Sequence, residues 1–460
     1  MNDNKVVSSF RDPSGFIFKH SGKFYRQINK TYKEHYDILM SSGLYEKLVS
    51  RSLLIPHEEV DIAFEEPKTG YKIIKPKEVP FISYPYEWSF SQLKDAALAT
   101  LEIQKIAFEH SMVLKDASAY NIQFIGGKPV FIDTLSFERY REGEPWIAYR
   151  QFCQHFLAPL ALMRYIDARL NLMTRLFIDG IPLDLASAIL PGKTRFKFSL
   201  FIHIHLHAGS QKRYADKTVN RSDYKVNTVG LAGLIASLES AIKKLNWKPK
   251  GSVWAEYYRD TNYSDEAMED KKNIVGKFID KVKPGVVLDL GANTGVFSTI
   301  AKERGAFTIA IDNDPLAVEL NYLNIKRNRF ENILPLMIDI TNPSPGIGWE
   351  GSERESLIKR FGSVDMIMAL ALIHHLAISN NLPFEKIASF LSKIGRSLII
   401  EFIPKDDSQV QRLLATREDI FTDYTKKNFD NEFKKHFDII EKVQIKDSKR
   451  TIYLMKRRRR

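Results

Sequence analysis

The stretch Val287-Leu-Asp-Leu-Gly-Ala-Asn-Thr-Gly295 decides the fold. Val287, Leu288 and Leu290 read as a buried strand, with Asp289 near its C-terminal end. Glycines at 291 and 295 bracket a turn, and Phe297 to Ala301 begins a helix. Strand, Gly-rich turn and helix form the crevice in which parallel α/β sheets hold nucleotide-like ligands. Glycine lets the backbone take unusual dihedrals and lets a ligand approach it closely.

Outward from this stretch the elements alternate as a parallel sheet with covering helices requires. Gly305 can end the first helix. Phe307 to Ile311 is a second strand ending at Asp312. Asp314-Pro315 opens the next helix, Asp as N-cap and Pro at the first position, with Leu316, Leu320 and Leu323 expected on one face. Ile333 to Ile338 is a third strand ending at Asp339, and Val364 to Ile373 a long fourth. Phe384, Ile387, Ala388 and Leu391 form a helical stripe before the fifth strand, Ser397 to Phe402. Phe437 to Ile445 and Thr451 to Met455 read as a hairpin, so the sheet should close with an antiparallel strand. Trp254 to Val282 should supply a covering helix ahead of the sheet.

Acids end the first three strands. A carboxylate after the second strand suits a ribose, because it accepts hydrogen bonds from both hydroxyls. Asp312 follows Asp289 at roughly the 20-residue spacing of dinucleotide folds as well. The turn separates the two cases. A dinucleotide site requires G-x-G-x-x-G, and here Asn293 and Val296 stand at the second and third glycine positions. A pyrophosphate could not approach those side chains as closely, and the closing hairpin also argues against an NAD domain.

In combination, DLGANTG at 289–295, the acid in IDNDP at 311–315, IDI at 338–340 and ALALIHHL at 369–376 resemble a class I S-adenosylmethionine-dependent methyltransferase. The resemblance covers roughly the last 200 residues. It implies that the backbone of Gly291, Ala292, Asn293, Thr294 and Gly295 packs against the methionine part of the cofactor. It places Asp289 near the cofactor's amino group, Asp312 on the ribose and Asp339 at the adenine amino group. Asn313 and Ile340 join the implied cofactor set. Read from the residues alone, each acid is also satisfied as a solvated strand end or a helix cap.

A sulfonium methyl is already an activated electrophile, so the protein mainly has to align a nucleophile. A weakly acidic acceptor also needs a base. His374 and His375 follow the fourth strand, where the methyl should lie, and His374 is the expected base; a satisfied rim histidine is the alternative. The loop Asn342 to Glu353 should overhang the same rim, with Trp349 and Glu353 as acceptor contacts or as loop packing. Glu401 on the fifth strand is a further candidate polar group. The Asn/Asp-Pro-Pro-aromatic pattern common in methyltransferases of base or glutamine amino groups is absent, which disfavours such an acceptor.

The N-terminal half carries its own signal. A helix at Leu93 to His110 is followed by Met112-Val-Leu-Lys-Asp-Ala-Ser-Ala-Tyr-Asn-Ile-Gln-Phe124, a hairpin turn at Gly126-Gly-Lys128, and Val130-Phe-Ile-Asp133. This resembles the catalytic loop and metal strand of protein kinases and small-molecule kinases. The resemblance implies Asp116 at an acceptor hydroxyl and Asn121 and Asp133 on magnesium, with ATP as ligand. Leu114-Lys115 and Asp133-Thr-Leu depart from the family's pattern, and no Gly-rich phosphate loop is evident. Pro80 to Trp88 would be the strand into the helix. The strand Gly22 to Ile28 offers Lys23 and Arg26, and the helix Tyr32 to Leu48 offers Glu34 or Glu46 as ion-pair partner. Alternatively, Asp116 caps a turn and Asn121 ties the loop to the backbone.

Gln151 to Leu190 looks helical. Ile202-His-Ile-His-Leu-His207 would put all three histidines on one face of a strand, but only His203 and His207 on one face of a helix; no acid or cysteine stands nearby, so metal is not favoured. Gln211 to Thr228 is polar and basic and reads as a linker, followed by a helix at Leu231 to Leu245. A chain of 460 residues should hold more than one domain. The expected division is a kinase-like domain at 1–210, a linker and connecting helix at 211–254 and the methyltransferase domain at 255–460.

The net charge is +12, partly from the tail Lys456-Arg-Arg-Arg-Arg460. A basic surface attracts nucleic acid or other anions, but no RNA-binding motif is present, and nucleic acid is not the favoured partner. No apolar run approaches about 18 residues, so no membrane span is expected. The single cysteine, Cys153, excludes an intrachain disulfide framework and a cysteine-built zinc site. With no signal-peptide apolar region at the start, the cytoplasm is the expected location.

The expected fold is therefore α/β: a Rossmann-like methyltransferase domain, its seven-stranded sheet ending in an antiparallel hairpin, preceded by an α+β kinase-like domain. The arrangement is similar to bacterial nodulation-type methyltransferases. The expected activity is S-adenosylmethionine-dependent methyl transfer to an unidentified small-molecule or macromolecular acceptor. A bifunctional kinase–methyltransferase, and a nucleotide- or cofactor-sensing scaffold without chemistry, remain alternatives.

Overall fold

The computed structural model describes residues 4–207, 227–248, 264–415 and 417–458. The chain divides into two compact units. The first comprises residues 1–248 and 346–355, the second residues 249–345 and 356–460. Two expectations about the division change. The helix foreseen as a connector, Thr228–Lys244, packs inside the first unit, where Lys94 donates to the carbonyls of Lys243 and Leu245 at the helix end. The loop segment 346–355 also belongs to the first unit rather than to the sheet domain. Of the expected linker, residues 211–226 and 249–254, Trp254 among them, lie outside the described residues, as do Arg459 and Arg460 of the tail.

The first unit opens with an antiparallel sheet of β1 (Gly15–His20), β2 (Lys23–Asn29), β3 (His57–Glu59) and β4 (Gly70–Pro76), in the order β1-β2-β4-β3. The helix expected over Tyr32 to Leu48 is broken into Lys33–Ser41 and Leu44–Ser50, because Gly43 takes a φ of 78°. Pro80 to Trp88 is not a strand; Pro85–Glu87 makes a tight helical turn, as a segment with two prolines and fewer donors permits. The long helix Phe90–Glu109 starts before the expected Leu93, because Ser89 and Gln92 cap each other's backbone N–H groups. β5 (Met112–Leu114) pairs with β8 (Phe137–Arg139), and β6 (Ile122–Ile125) with β7 (Lys128–Phe131). Gly126 and Gly127 supply the two positive φ angles of the tight hairpin turn.

The second unit is a seven-stranded sheet. Its strands are β9 (Val286–Leu290), β10 (Phe307–Asp312), β11 (Ile333–Met337), β12 (Val364–Ala369), β13 (Gly395–Phe402), β14 (Phe437–Gln444) and β15 (Thr451–Arg457). The order is β11-β10-β9-β12-β13-β15-β14, with β9 to β13 parallel and β15 antiparallel to both neighbours. The closing hairpin is thus present. Ser264 caps the covering helix Asp265–Val282, which lays Ile274, Val275, Phe278 and Ile279 against Val287, Met366 and Leu454. On the helix Pro315–Asn328, Asp314 caps Leu316 as expected. Its buried stripe, however, runs through Val318, Tyr322 and Ile325, at i, i+4 and i+7, and leaves Leu320 and Leu323 exposed. The fourth strand stops at Ala369 rather than Ile373, because Ala371 turns left-handed at φ 50°. Among the described residues no helix is long and apolar enough to cross a membrane.

One polar cluster lies inside this apolar unit. Arg450, 1% exposed, donates from Nε and Nη2 to the two carboxylate oxygens of Asp407 at 2.8 and 2.9 Å, and its Nη1 lies 3.8 Å from Glu401. Removing one partner of a buried ion pair strands the other's charge, which costs about 3–5 kcal/mol. Arg450→Met is therefore expected to lower the unfolding free energy by about that much in denaturant titrations. A loss below about 1 kcal/mol would contradict this reading of the cluster.

Candidate functional site

In the second unit, strand order reverses at β9, whose neighbours β10 and β12 lead away on opposite sides. Loops leaving the C-terminal ends of such strands diverge and leave a crevice. A cavity of about 320 Å³ lies there, within the range of small-ligand sites. Of the residues implied as cofactor contacts, Asp289, Gly291, Ala292, Asn293, Asp312, Asn313, Asp339 and Ile340 line it; Thr294 and Gly295 do not. Gly295 has a φ of 85°, and a Cβ there would lie 2.4 Å from Asn321 Oδ1. Its role is close packing of the turn on the neighbouring helix. Gly291, at φ 71°, is the glycine that faces the cavity.

The three acids differ in their settings. Asp289 is buried at the end of β9 and accepts a 2.6 Å bond from Ser298 Oγ. Burial pushes its carboxyl up to about 7, with the nearby Asp312 adding to the rise and Ser298 and Lys271 opposing it. Asp312 accepts from the backbone N–H of Asn293 at 2.8 Å and of Asp314 at 2.9 Å, one on each oxygen. Those bonds fix the orientation of its carboxylate, and burial raises its pKa. Asp339 accepts from Thr341 through both backbone N–H and hydroxyl, at 2.8 and 2.6 Å. Ile311, Ile338, Ile340 and Leu376 give apolar walls beside these acids. Carboxylates that can accept from hydroxyl and amino groups, flanking apolar walls and a glycine-exposed backbone are chemically compatible with S-adenosylmethionine.

The sequence reading missed Lys271, among the described residues the only lysine or arginine in the cavity lining. It falls on the buried stripe of helix Asp265–Val282 with Ile274, Val275 and Phe278, at i+3, i+4 and i+7. A lysine on an apolar stripe was the signal available. Its side chain is 3% exposed, and Nζ donates to Glu401 Oε2 at 2.7 Å. Glu401, expected as a further candidate polar group, is fully buried and does not line the cavity; its Oε2 also accepts from the backbone N–H of Ala371 at 2.8 Å.

His375 rather than His374 faces the cavity. The left-handed turn at Ala371 shortens the strand and rotates the following helical turn, which buries His374 with its ring centroid 4.1 Å from that of His375. Burial holds His374 well below the ordinary histidine range and His375 down at about 4, so both are neutral near pH 7. Trp349 and Glu353 lie in the first unit, on a hairpin closed by reciprocal backbone bonds between Ile347 and Arg354. Trp349 is exposed, and the buried Glu353 carboxylate pairs with Arg11.

In the first unit Asp116, Asn121 and Asp133 come together. Asp116 accepts from Ser118 N at 2.9 Å and from Gln151 Nε2 at 2.8 Å. Burial, then the charge of Asp133, raises its pKa. Asn121 Nδ2 reaches Ser136 Oγ at 3.3 Å. Asp133 forms an ion pair with Arg26 and accepts from Leu135 N and Ser136 Oγ. Burial alone would raise the Asp133 carboxyl, but Arg26 and these bonds hold it below the usual carboxylate range. Glu34 pairs with Arg139 instead of Arg26. The three histidines at 203, 205 and 207 lie at the helical segment Phe201–Leu206 and its C-cap. His203 meets Tyr149 and Ser237, and His205 meets Ser187 and Thr194. Among the described residues no group of metal-ligating side chains forms.

The raised Asp289 carboxyl generates a pH dependence. An acid whose folded pKa exceeds its unfolded value holds its proton more tightly when folded. Its protonation supports the fold at low pH, and that support is lost as pH rises from about 4 towards 7. The total is on the order of a few kcal/mol. In thermal melts of ligand-free protein, Asp289→Asn should flatten the fall in stability across this window. An unchanged slope would contradict the assignment.

No protein-family model matches the chain. It is 35% identical over 461 aligned positions to nodulation protein NoeA of Rhizobium meliloti (strain 1021), covering 98% of this chain and 96% of that one. A 67-residue stretch is 40% identical to the ribosomal protein L11 methyltransferase of Thermosipho africanus (strain TCF52B), covering 14% of this chain and 26% of that protein. Among solved structures, N-methyltransferase NodS from Bradyrhizobium japonicum WM9 with S-adenosyl-L-homocysteine matches at a TM-score of 0.33 and 12% identity, over 45% of this chain and 98% of that one. With near-complete coverage of both chains at 35% identity, this protein belongs to the family of nodulation protein NoeA.

Proposed function

We propose that the chain is an S-adenosylmethionine-dependent methyltransferase whose cofactor site is the cavity of the second unit. The observation that carries the proposal is the meeting of Asp289, Asp312 and Asp339, at or just past the C-terminal ends of β9, β10 and β11, on one cavity at the strand-order reversal. Asp312, with each oxygen oriented by a backbone N–H, would hold a ribose diol. Asp289 would take an ammonium, and Asp339 with Ile338 and Ile340 would take an adenine. The local likeness to a ribosomal-protein methyltransferase supports the same chemistry. The bound sulfonium supplies an activated methyl group. The protein's task is to exclude water and orient an acceptor at the rim formed by Leu372, His375 and Asn380. A neutral His375 can accept a proton from an acceptor that must lose one.

We read the first unit as a kinase-like module that recognises or scaffolds and does not transfer phosphate. The supporting observation is the Arg26–Asp133 ion pair, which puts a cation on the carboxylate a magnesium ion would need. ATP with magnesium is expected to leave the melting temperature of the full chain unchanged. A shift that Asp133→Asn abolishes would overturn this reading.

Calorimetry of the full-length protein with S-adenosylmethionine tests the cofactor assignment. Wild-type protein should bind, and Asp312→Ala should weaken binding by at least about 10-fold, the cost of losing bonds to a charged acceptor. No binding by the wild type, or equal binding by the variant, would refute it.

A further inference from the structure

Lys271 and Glu401 remain without a role in the cofactor reading above. Among the described residues, Lys271 is the sole lysine or arginine in a lining that holds three aspartates. It stands at the Asp289 end of the cavity: its Nζ lies 4.9 Å from the centroid of Phe297, the residue before the Ser298 that bonds Asp289, and Lys271 and Asp289 lie within each other's electrostatic reach. Asp312 ends β10, and Asp339 follows the end of β11. The cavity therefore offers a lysine ammonium and a carboxyl group together at one end and two further acids towards the other. A free amino acid's ammonium and carboxylate, one bond from a shared carbon, match such a pair.

We propose that Lys271 binds the carboxylate of the cofactor's amino-acid end, and that Glu401 is the positioning residue that aims it there. The proposal rests on the methyltransferase reading. An ammonium can donate in three directions, so the bond to Glu401 is compatible with a ligand carboxylate on the same nitrogen. Glu401 Oε2 holds two groups at once, Lys271 Nζ at 2.7 Å and the N–H of Ala371 at 2.8 Å. Ala371 is a non-glycine residue at φ 50°, a conformation that needs external support. It lines the cavity next to Leu372 and four residues before His375. One oxygen atom thus ties the cation at the amino-acid end to the turn that sets the acceptor rim. Arg450, held by Asp407, stands 3.8 Å from the other oxygen of Glu401 and balances its charge.

Two probes separate a ligand contact from a structural part. S-adenosylhomocysteine carries the amino-acid end; 5′-methylthioadenosine has the same thioether nucleoside without it. In calorimetry of the full chain, Lys271→Met should weaken S-adenosylhomocysteine by at least about 10-fold, as loss of a buried charge partner does. It should leave methylthioadenosine within about 2-fold, which also reports that the variant is folded. Lys271→Arg should recover most of the loss. Glu401→Gln should reproduce the selective loss, since it disturbs the aim of Lys271 and not the nucleoside contacts. Equal losses for both probes, or unchanged binding of S-adenosylhomocysteine, would overturn the assignment. Wild-type protein that binds methylthioadenosine but not S-adenosylhomocysteine would also overturn it while sparing the nucleoside site. Binding of neither probe would remove the proposed function and this assignment with it.

Discussion

The reversal of strand order at β9 is the constraint on which the site depends. β10 and β12 lie on either side of β9 and run parallel to it, so the chain must leave the same edge of the sheet in two directions. The space between the departing loops cannot be filled by the main chain without breaking the ladder. The residues that end β9, β10 and β11 therefore face a shared opening, and their side chains set its chemistry. Gly291 keeps the turn after β9 open at φ 71°, and Gly295 lets that turn pack tightly on the helix Pro315–Asn328.

Burial makes this opening electrostatically unusual. Asp289 sits where an isolated carboxylate is costly, and its proton affinity rises accordingly. Lys271 is buried beside it; burial lowers its pKa and Glu401 opposes that fall, and Glu401 in turn is balanced by Arg450 and Asp407. A chain of alternating charges thus runs from the last turn before β15 to the cavity. Such a chain adds little net stability over a well-packed apolar cluster, but breaking it is expensive. Its value lies in fixing positions: a single glutamate sets both a lysine in the cavity wall and the strained turn at Ala371.

Much of the second unit was legible in the sequence because its signals are local. Apolar runs of strand length, each ended by an acid, and the Asp314-Pro315 cap identify β9 to β11 and the following helix without tertiary information. Four features were not legible. The end of β12 depends on the left-handed Ala371, which no turn residue announces and which its N–H bond to Glu401, thirty positions away in sequence, holds in place. That turn also decides which of two adjacent histidines faces the ligand. The stripe of helix Pro315–Asn328 could be phased through its leucines or through Tyr322 and Ile325, and only packing chooses. Lys271 reads as a solvated helix residue until its neighbours on the stripe prove to be core. In the first unit, the helix, the hairpin turn and the gathering of Asp116, Asn121 and Asp133 follow from pattern. The Arg26–Asp133 pair does not, because it joins residues of distant segments.

The most direct test of the account is a crystal structure of the full chain with S-adenosylhomocysteine. The ligand should lie at the C-terminal ends of β9 to β12. Its ribose hydroxyls should be within hydrogen-bonding distance of the Asp312 carboxylate, its adenine between Ile338 and Ile340 near Asp339, and its sulfur towards the rim at Leu372 and His375. A ligand bound elsewhere, or a saturated crystal in which Asp312 touches no part of the ligand, would contradict it.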